Sequence, residues 1–234
     1  MRVFNDHQSM ALCLATDVNG NNRAGVRWLE LRRPTGSTGS WTVYQEGTYA
    51  PGTTLNRWMP AINIDKYGNI MMAYSTSGST APDYPSIQMT GRKACDPLGQ
   101  MTRPEMVIKQ GMSARTSNTR WGDYHHMCVD DFDGLTFYYT GVVMNSNNNI
   151  VTNVSAFKMN PDSLDLAILD AFTVQSGGLC GTSTQIAVVV ENRGANAVNT
   201  FTVSAQVGSA SASNQNYTST NLSSYQQIDT IYIT

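Results

Sequence analysis

The chain of 234 residues contains little charge and no long apolar run. Charged residues make up 14% of it, whereas a globular domain usually has about a quarter. The net charge is −2, so the chain lacks the excess of basic residues that is typical of a nucleic-acid-binding protein. No apolar run approaches the ~20 residues of a membrane span, so we expect no membrane insertion. A heptad pattern is also absent, which excludes a coiled coil.

Short bursts of aliphatic and aromatic residues, separated by Asn, Ser, Thr and Gly, are typical of an all-β protein. Charge is distributed unevenly, because residues 1–160 carry a net +2 and residues 161–234 a net −4. The second part is also richer in Ser, Thr, Asn and Val. The turn-forming segment Asn160-Pro161-Asp162-Ser163 lies at this change. We therefore predict two domains, 1–160 and 161–234.

The first domain contains an internal repeat. Arg57-Trp58 and Arg120-Trp121 lie 63 residues apart, and each is followed by a Gly turn and an apolar-aromatic strand. The complete copy predicts four strands, at about 58–65, 69–76, 85–92 and 104–110. Four-stranded antiparallel units that repeat without helix signals are typical of β-propeller blades.

The number of predicted blades is small. Residues 10–50 supply three strands of one blade, residues 57–111 a whole blade, and residues 120–159 three strands of another. Propellers close with about four to eight blades. We therefore expect that the first blade lacks its opening strand and that the chain is part of a longer protein. The expected partners are the remaining blades, supplied by the same protein or by neighbouring subunits.

Several motifs occur in order along the first domain: Arg2-Val3-Phe4, Ala24–Arg32, Arg57-Trp58, Arg120-Trp121-Gly122-Asp123-Tyr124 and Asp133–Thr140. Together they resemble the C-terminal blades of sialidase-like (BNR/Asp-box type) propellers in large secreted bacterial proteins. The segment Asp133-Gly134-Leu135-Thr136-Phe137 keeps the order of an Asp-box with one spacer lost. The resemblance implies a secreted or cell-surface location and a partial β-propeller.

The second domain has its own resemblance. A Val-rich strand at Thr184–Asn192 ends in Glu-Asn-x-Gly and is followed by alternating segments at Thr200–Val207 and Gln227–Thr234. This order resembles a CARDB-type Ig-like domain, which implies a β-sandwich. A seven-stranded sandwich takes about 100 residues, so we expect one or two strands beyond Thr234.

The repeated Arg-Trp segments supply the candidate binding residues: Arg57, Trp58, Arg120, Trp121, Asp123 and Tyr124. The tryptophans could form a platform on which sugar rings stack, and glycans are therefore candidate partners. Alternatively, they are packing anchors between blades, each beside a hydrogen-bonded Arg. We prefer the structural interpretation, because a residue that recurs at the same position of each blade usually has a structural role.

Sialidase chemistry needs an arginine cluster for a carboxylate, a Tyr/Glu nucleophile pair and an acid. The sequence contains Arg27, Arg57, Arg92, Arg120, Glu30, Glu46 and Glu105, which could line a pore. None of them lies in a recognisable catalytic motif. We therefore assign no catalytic residue and do not expect this chain to be an enzyme.

Metal and disulfide signals are sparse. Asp130, Asp131 and Asp133 could contribute to a calcium site, but the EF-hand spacing is absent and Asp is an ordinary turn residue. His125 and His126 are neighbours in a predicted strand and should point to opposite faces. We therefore predict no cofactor. Four cysteines, Cys13, Cys95, Cys128 and Cys180, permit three disulfide connectivities, between which the spacing does not choose.

These observations favour a non-catalytic extracellular structural or adhesive segment of a larger secreted bacterial protein. The alternative is a glycan-binding or sialidase-like glycoside hydrolase propeller whose active residues lie partly outside this chain. A pocket lined by Arg, Tyr and a carboxylate pair would favour the alternative.

Overall fold

A computed structural model describes residues 1–52, 54–116, 120–174, 185–206, 208–209, 211–223 and 228–233. These residues form an all-β structure of antiparallel sheets and contain no helix, so the prediction of an all-β chain is confirmed. Within the same residues, no helix is long and apolar enough to cross a membrane. The chain divides into two compact units, Met1–Met159 and Asn160–Thr234.

Three sheets make up the described part of the first unit. Sheet A contains β1 (Arg2–Val3), β2 (His7–Asp17), β3 (Ala24–Pro34) and β4 (Thr42–Tyr49). Sheet B contains β5 (Asn56–Ile64), β6 (Ile70–Ser77), β7 (Ser86–Arg92) and β8 (Met106–Lys109). Sheet C contains β9 (His126–Val129), β10 (Phe137–Met144) and β11 (Ile150–Phe157). In every sheet the strands follow chain order, and the four strands of sheet B agree closely with the predicted ones.

Sheet A differs from the expectation of three strands, because β1 forms its opening strand. Arg2 lies opposite Ser9 and Val3 opposite Gln8 in an antiparallel pair. A two-residue strand is too short to show the alternation on which strand prediction depends. The expectation that the first blade lacks its opening strand is therefore wrong.

Sheet B is buried on both faces. Successive residues of β6 point to opposite sides of the sheet, and the residues on both sides are buried. Ile70, Met72 and Tyr74 belong to the apolar core that sheet B shares with sheet A. Met71 and Ala73 belong to the core that it shares with sheet C. The sheets of the first unit are therefore stacked in the order A, B, C.

The two flanking sheets contribute large side chains to these cores. Val26 and Trp28 of β3 pack against sheet B on one side. Phe137, Tyr139 and Val143 of β10 pack against it on the other. Complete burial of such a side chain stabilises the fold by about 1.5–3 kcal/mol, so the two cores hold the stack together.

A bulge interrupts β5 between Trp58 and Ala61. Pro60 has no N–H to donate to the ladder, and Met59 has a left-handed φ of 49°. The bulge turns the Met59 carbonyl oxygen toward His125, whose Nδ1 lies 3.2 Å from it. A strand irregularity thus links sheet B to the loop that precedes sheet C.

Hairpin turns of sheets B and C meet at one carbonyl group. The Gly134 oxygen accepts hydrogen bonds from the Lys66 backbone N–H at 2.8 Å and from Arg2 Nη2 at 2.9 Å. Gly68 and Gly134, one in each turn, have φ angles of 84° and 67°, which L-residues with a side chain rarely adopt. The two glycines that recur in the repeat therefore allow the backbone conformation that these turns require.

The second unit contains β12 (Leu166–Val174), β13 (Gln185–Asn192), β14 (Val198–Ala205), β15 (Ser213–Leu222) and β16 (Ile228–Ile233). One sheet has the order β12-β13-β16, and β14 pairs with β15 in the other. Residues of both sheets share an apolar core that includes Val188, Val190 and Val203. Asn192 is completely buried and donates hydrogen bonds to the carbonyls of Asn196 and Leu222, so the Glu-Asn-x-Gly motif joins the two sheets.

Candidate functional site

The two repeated tryptophans lie against each other. Trp58 belongs to β5, whereas Trp121 lies in the loop before β9, and their ring centroids are 5.3 Å apart. Trp121 is only 7% exposed, and its Nε1 donates to Ser75 Oγ at 3.0 Å. Trp58 is half-buried and donates from Nε1 to Ser77 Oγ at 3.2 Å. Trp121 is thus a packing anchor between sheets, while Trp58 keeps part of its indole in contact with solvent.

The arginines that precede these tryptophans have different surroundings. Arg57 is completely buried and forms a bidentate ion pair with Glu105, with both N–O distances 2.8 Å. The Arg120 side chain is 83% exposed and lies 3.5 Å from the Asp123 carboxylate. Tyr124, the last of the candidate binding residues, is 90% exposed. Arg120 therefore does not occupy an environment equivalent to that of Arg57.

A buried cluster joins Arg57, Glu105 and Tyr74. The Tyr74 hydroxyl donates to Glu105 Oε1 at 2.6 Å, and Arg57 also donates to the Leu55 carbonyl at 3.1 Å. Burial and the adjacent Glu105 charge raise the pKa of Tyr74 well above its usual value. Burial lowers the pKa of Arg57, but the hydrogen bond and charge of Glu105 outweigh it and raise this pKa.

This cluster has the residue types of a sialidase nucleophile pair, but its geometry does not open it to a substrate. Tyr74 has no exposed surface, and the raised pKa disfavours the phenolate that would attack. The guanidinium of Arg57 is occupied by Glu105 and a backbone carbonyl. The cluster therefore ties β5 and β6 to the segment before β8.

The other arginines considered for a pore lie in separate places. Arg27 pairs with Glu46 at 2.6 Å on sheet A. Arg92 is buried and donates to the carbonyls of Asp96 and Pro97 at 2.7 Å each, so it holds the loop between β7 and β8. Burial lowers the pKa of Arg92. The described residues thus contain no convergence of Arg27, Arg57, Arg92 and Arg120 on one site.

An open cleft of about 340 Å³ lies beside the tryptophan pair. Its walls include Trp58, Trp121 and residues 78–81 and 83–85 of the β6–β7 loop. The loop is closed by a hydrogen bond of 2.9 Å from the Gly78 N–H to the Asp83 carbonyl. A Cβ at Gly78 would lie 2.5 Å from Asp83 Cβ, so a side chain there would displace Asp83.

The polar residues of the cleft include some that sequence patterns did not indicate, among them Asp83, Tyr84 and Arg115. Asp83 and Tyr84 lie in an ordinary Pro-containing loop, and Arg115 lies about 30 residues further along the chain. No local motif joins them, because only the packing of the sheets brings their segments together. Trp58, Trp121 and Arg120, which were candidates, line the same cleft.

The three acidic residues considered for calcium form a hairpin turn. Asp133 accepts hydrogen bonds from the backbone of Leu135 and Thr136 and pairs with Lys158 at 2.8 Å. The hydrogen bond with Lys158 and those in the turn lower the pKa of Asp133 well below its usual value. Asp130 accepts a hydrogen bond from the Phe132 backbone. Over the described ranges, no group of three His, Cys, Asp or Glu residues could hold a metal ion.

The two neighbouring histidines have opposite environments. His126 begins β9 and is exposed. His125, just before the strand, contacts the Tyr139 hydroxyl at 3.0 Å and accepts a hydrogen bond from the Val142 N–H at 3.3 Å. Burial lowers the pKa of His125. The two side chains thus differ in exposure.

Three of the four cysteines are free thiols: Cys13, Cys95 and Cys128. Burial raises the pKa of Cys13 to about 12, which makes its thiol a poor nucleophile at neutral pH. Cys180 lies outside the described residues. Cys95 and Cys128 are exposed, so they are the accessible thiols of the described part of the chain.

Comparisons with known proteins do not place the chain in a family. No family model, no curated protein and no solved structure matches it.

Proposed function

We propose that the chain is a non-catalytic structural or adhesive segment of a larger secreted or cell-surface bacterial protein. In this proposal sheets A, B and C are consecutive blades of a partial β-propeller, and the second unit is an Ig-like β-sandwich of the CARDB type. The motif order in residues 2–140 and the Val-rich strand ending in Glu-Asn-x-Gly support it by resemblance.

The observation that carries the proposal is the stacking of the three sheets. Each contains antiparallel strands in chain order, and sheet B is packed between sheet A and sheet C through two separate apolar cores. Consecutive meander sheets that pack face to face are the arrangement of propeller blades. A rigid stack of this kind suits a scaffold.

The outer face of sheet A supports the proposal that further blades are partners. Leu12 and Leu14 of β2 point away from sheet B and are 42% and 50% exposed. Leu12 lies opposite Leu29, and Met10 lies opposite Leu31, so aliphatic side chains continue across the sheet. We propose that another four-stranded antiparallel sheet covers this face in the same way that sheet A covers sheet B.

The closed Arg57–Tyr74–Glu105 cluster favours the non-catalytic form of the proposal. Hydrolysis by a sialidase-like mechanism would need the Tyr hydroxyl to reach a sugar carbon, and Tyr74 has no exposed surface. We expect no release of 4-methylumbelliferone from its sialic acid, galactose or glucose conjugates. Turnover that disappears in Glu105→Gln would overturn this part of the proposal.

A labelling experiment tests the sheet partner. Leu12→Cys is prepared with Cys95, Cys128 and Cys180 replaced by Ser, both in this chain alone and in the complete protein as secreted. A maleimide should label Leu12→Cys in the isolated chain and react far more slowly in the secreted protein. Leu98→Cys, in the exposed loop before β8, should be labelled in both. Equal labelling of Leu12→Cys in the two samples would contradict the covered face.

A further inference from the structure

The cleft beside the tryptophans offers an aromatic wall and a polar wall. Trp58 and Tyr84 supply partly exposed aromatic surface, and the volume of about 340 Å³ lies near the lower end of the roughly 300–1,000 Å³ of small-ligand sites. Trp121 packs against Trp58, and the hydrogen bond from Trp58 Nε1 to Ser77 Oγ fixes the indole orientation. The aromatic wall is therefore held in place before a ligand arrives.

Polar groups on the cleft walls have hydrogen-bonding capacity that the described residues leave unused. Arg115 Nε is buried and has no partner in the described part of the chain. The half-buried Asp83 carboxylate and the Tyr84 hydroxyl likewise form no hydrogen bond with those residues. A buried donor without a partner is costly, and a bound ligand that accepts its hydrogen bond removes this cost.

The chemistry of these groups suits a polyhydroxylated ligand. Arg115 only donates, the Asp83 carboxylate only accepts, and the Tyr84 hydroxyl does both. Sugar hydroxyls also donate and accept, and the C–H face of a pyranose ring is apolar enough to pack on an indole. Trp58 provides that indole.

The charges on the cleft walls favour a neutral ligand. Arg115 and Asp83 carry opposite charges, and Arg120 is paired with Asp123 at 3.5 Å. An anionic ligand would gain from Arg115 but would be repelled by the Asp83 carboxylate. A neutral sugar can bond to both without a net charge interaction.

We infer that this cleft binds a neutral saccharide, with one pyranose ring stacked on Trp58 and its hydroxyls bonded to Asp83, Tyr84 and Arg115. This inference rests on the adhesive part of the proposed function and names the class of ligand. It involves no covalent step.

Titration of the full chain with lactose, cellobiose and maltose, followed by NMR or calorimetry, tests the inference. At least one of these disaccharides should bind in the millimolar range or tighter. Trp58→Ala, Asp83→Asn and Arg115→Ala should each weaken this binding by about tenfold or more, a change that corresponds to 1.4 kcal/mol. Trp58→Phe should retain part of the affinity, because a smaller aromatic face remains.

Matched controls come from an arginine and a tryptophan that pack together outside the cleft. Arg33 lies over the Trp41 ring with its guanidinium carbon 4.6 Å from the ring centroid. Trp41→Ala and Arg33→Ala should leave disaccharide affinity unchanged. Circular dichroism and thermal unfolding of every variant separate loss of the site from loss of the fold.

Three outcomes would overturn the inference. These are no binding of any of the three disaccharides, binding that survives Trp58→Ala and Arg115→Ala in folded protein, and tighter binding of 3′-sialyllactose than of lactose. None of them changes the maleimide labelling of Leu12→Cys. Failure of the saccharide site is therefore distinguishable from failure of the proposed scaffold.

Discussion

The segments around Arg57-Trp58 and Arg120-Trp121 share sequence but differ in structure. Arg57 and Trp58 lie within β5, where the arginine is buried and the tryptophan is partly exposed. Arg120 and Trp121 lie in a loop, where the arginine is exposed and the tryptophan is buried. The two pairs therefore exchange roles, and a repeated motif does not by itself indicate a repeated environment.

The reason for the exchange is the packing between sheets. Trp121 donates a hydrogen bond to Ser75 of sheet B and packs against Trp58, so the loop before β9 supplies the packing anchor. Arg57 shares its partner Glu105 with Tyr74, which lies on the face of sheet B that packs against sheet A. Four predictions test how far this difference extends.

The largest effect should come from the tryptophan buried between sheets. Trp121→Ala should lower the free energy of unfolding by about 3–5 kcal/mol, because it removes a buried indole and leaves a cavity. Trp58→Ala should cost less, about 1–2 kcal/mol, because part of the Trp58 surface already contacts water. Urea unfolding of the two variants measures both values. Equal losses would show that the two tryptophans have equivalent environments after all.

The arginines should show the opposite order. Arg57→Ala leaves the Glu105 carboxylate without its bidentate partner and should cost about 3 kcal/mol. Arg120→Ala removes an exposed pair and should change stability by less than about 0.5 kcal/mol. Chemical denaturation provides the comparison. A loss in Arg120→Ala as large as that in Arg57→Ala would contradict the assigned burial.

The neighbouring residues His125 and His126 also differ in burial, and this difference should affect how the stability of the protein depends on pH. Burial lowers the pKa of His125, so the folded state binds fewer protons than the unfolded state. The stability that His125 contributes should be complete above its unfolded pKa of about 6.5 and should be lost as the pH falls toward the folded pKa. Protonation would also set Nε2–H against the Val142 N–H.

Melting temperatures from about pH 7.5 to 5 should therefore fall less steeply in His125→Gln than in the unsubstituted chain. His126→Gln is the matched control, because His126 is exposed at the neighbouring position. Parallel pH profiles for His125→Gln and the unsubstituted chain would rule out His125 as the source of this acid sensitivity.

The smallest effect concerns the hairpin turns. Asp133→Asn weakens the pair with Lys158 but keeps an acceptor for the turn, so it should cost about 0.5 kcal/mol. Calcium chloride should leave the melting temperature of the protein unchanged, since the Asp133 oxygens are engaged by the turn and by Lys158. A calcium-dependent rise that disappears in Asp133→Asn would instead show that the turn binds the ion.

Much of the first unit could be predicted from local patterns. The four strands of sheet B and the turn glycines Gly68 and Gly134 follow from alternation and from the φ angles that glycine permits. The short β1 could not be predicted, because a strand of two residues is too short to show the alternation of apolar and polar side chains. Cleft residues such as Asp83 and Arg115 could not be predicted either, since their segments are joined only by the packing of the sheets.

The sequence by itself determined the all-β class and the places where strands turn, because both depend on interactions between residues close together in the chain. The tertiary structure alone decided which arginine is buried and which tryptophan anchors the stack. Arg57 meets Glu105 across 48 residues, and Trp121 meets Ser75 across 46. Burial and pairing over such separations depend on how whole sheets pack, and that information is not present in either Arg-Trp motif alone.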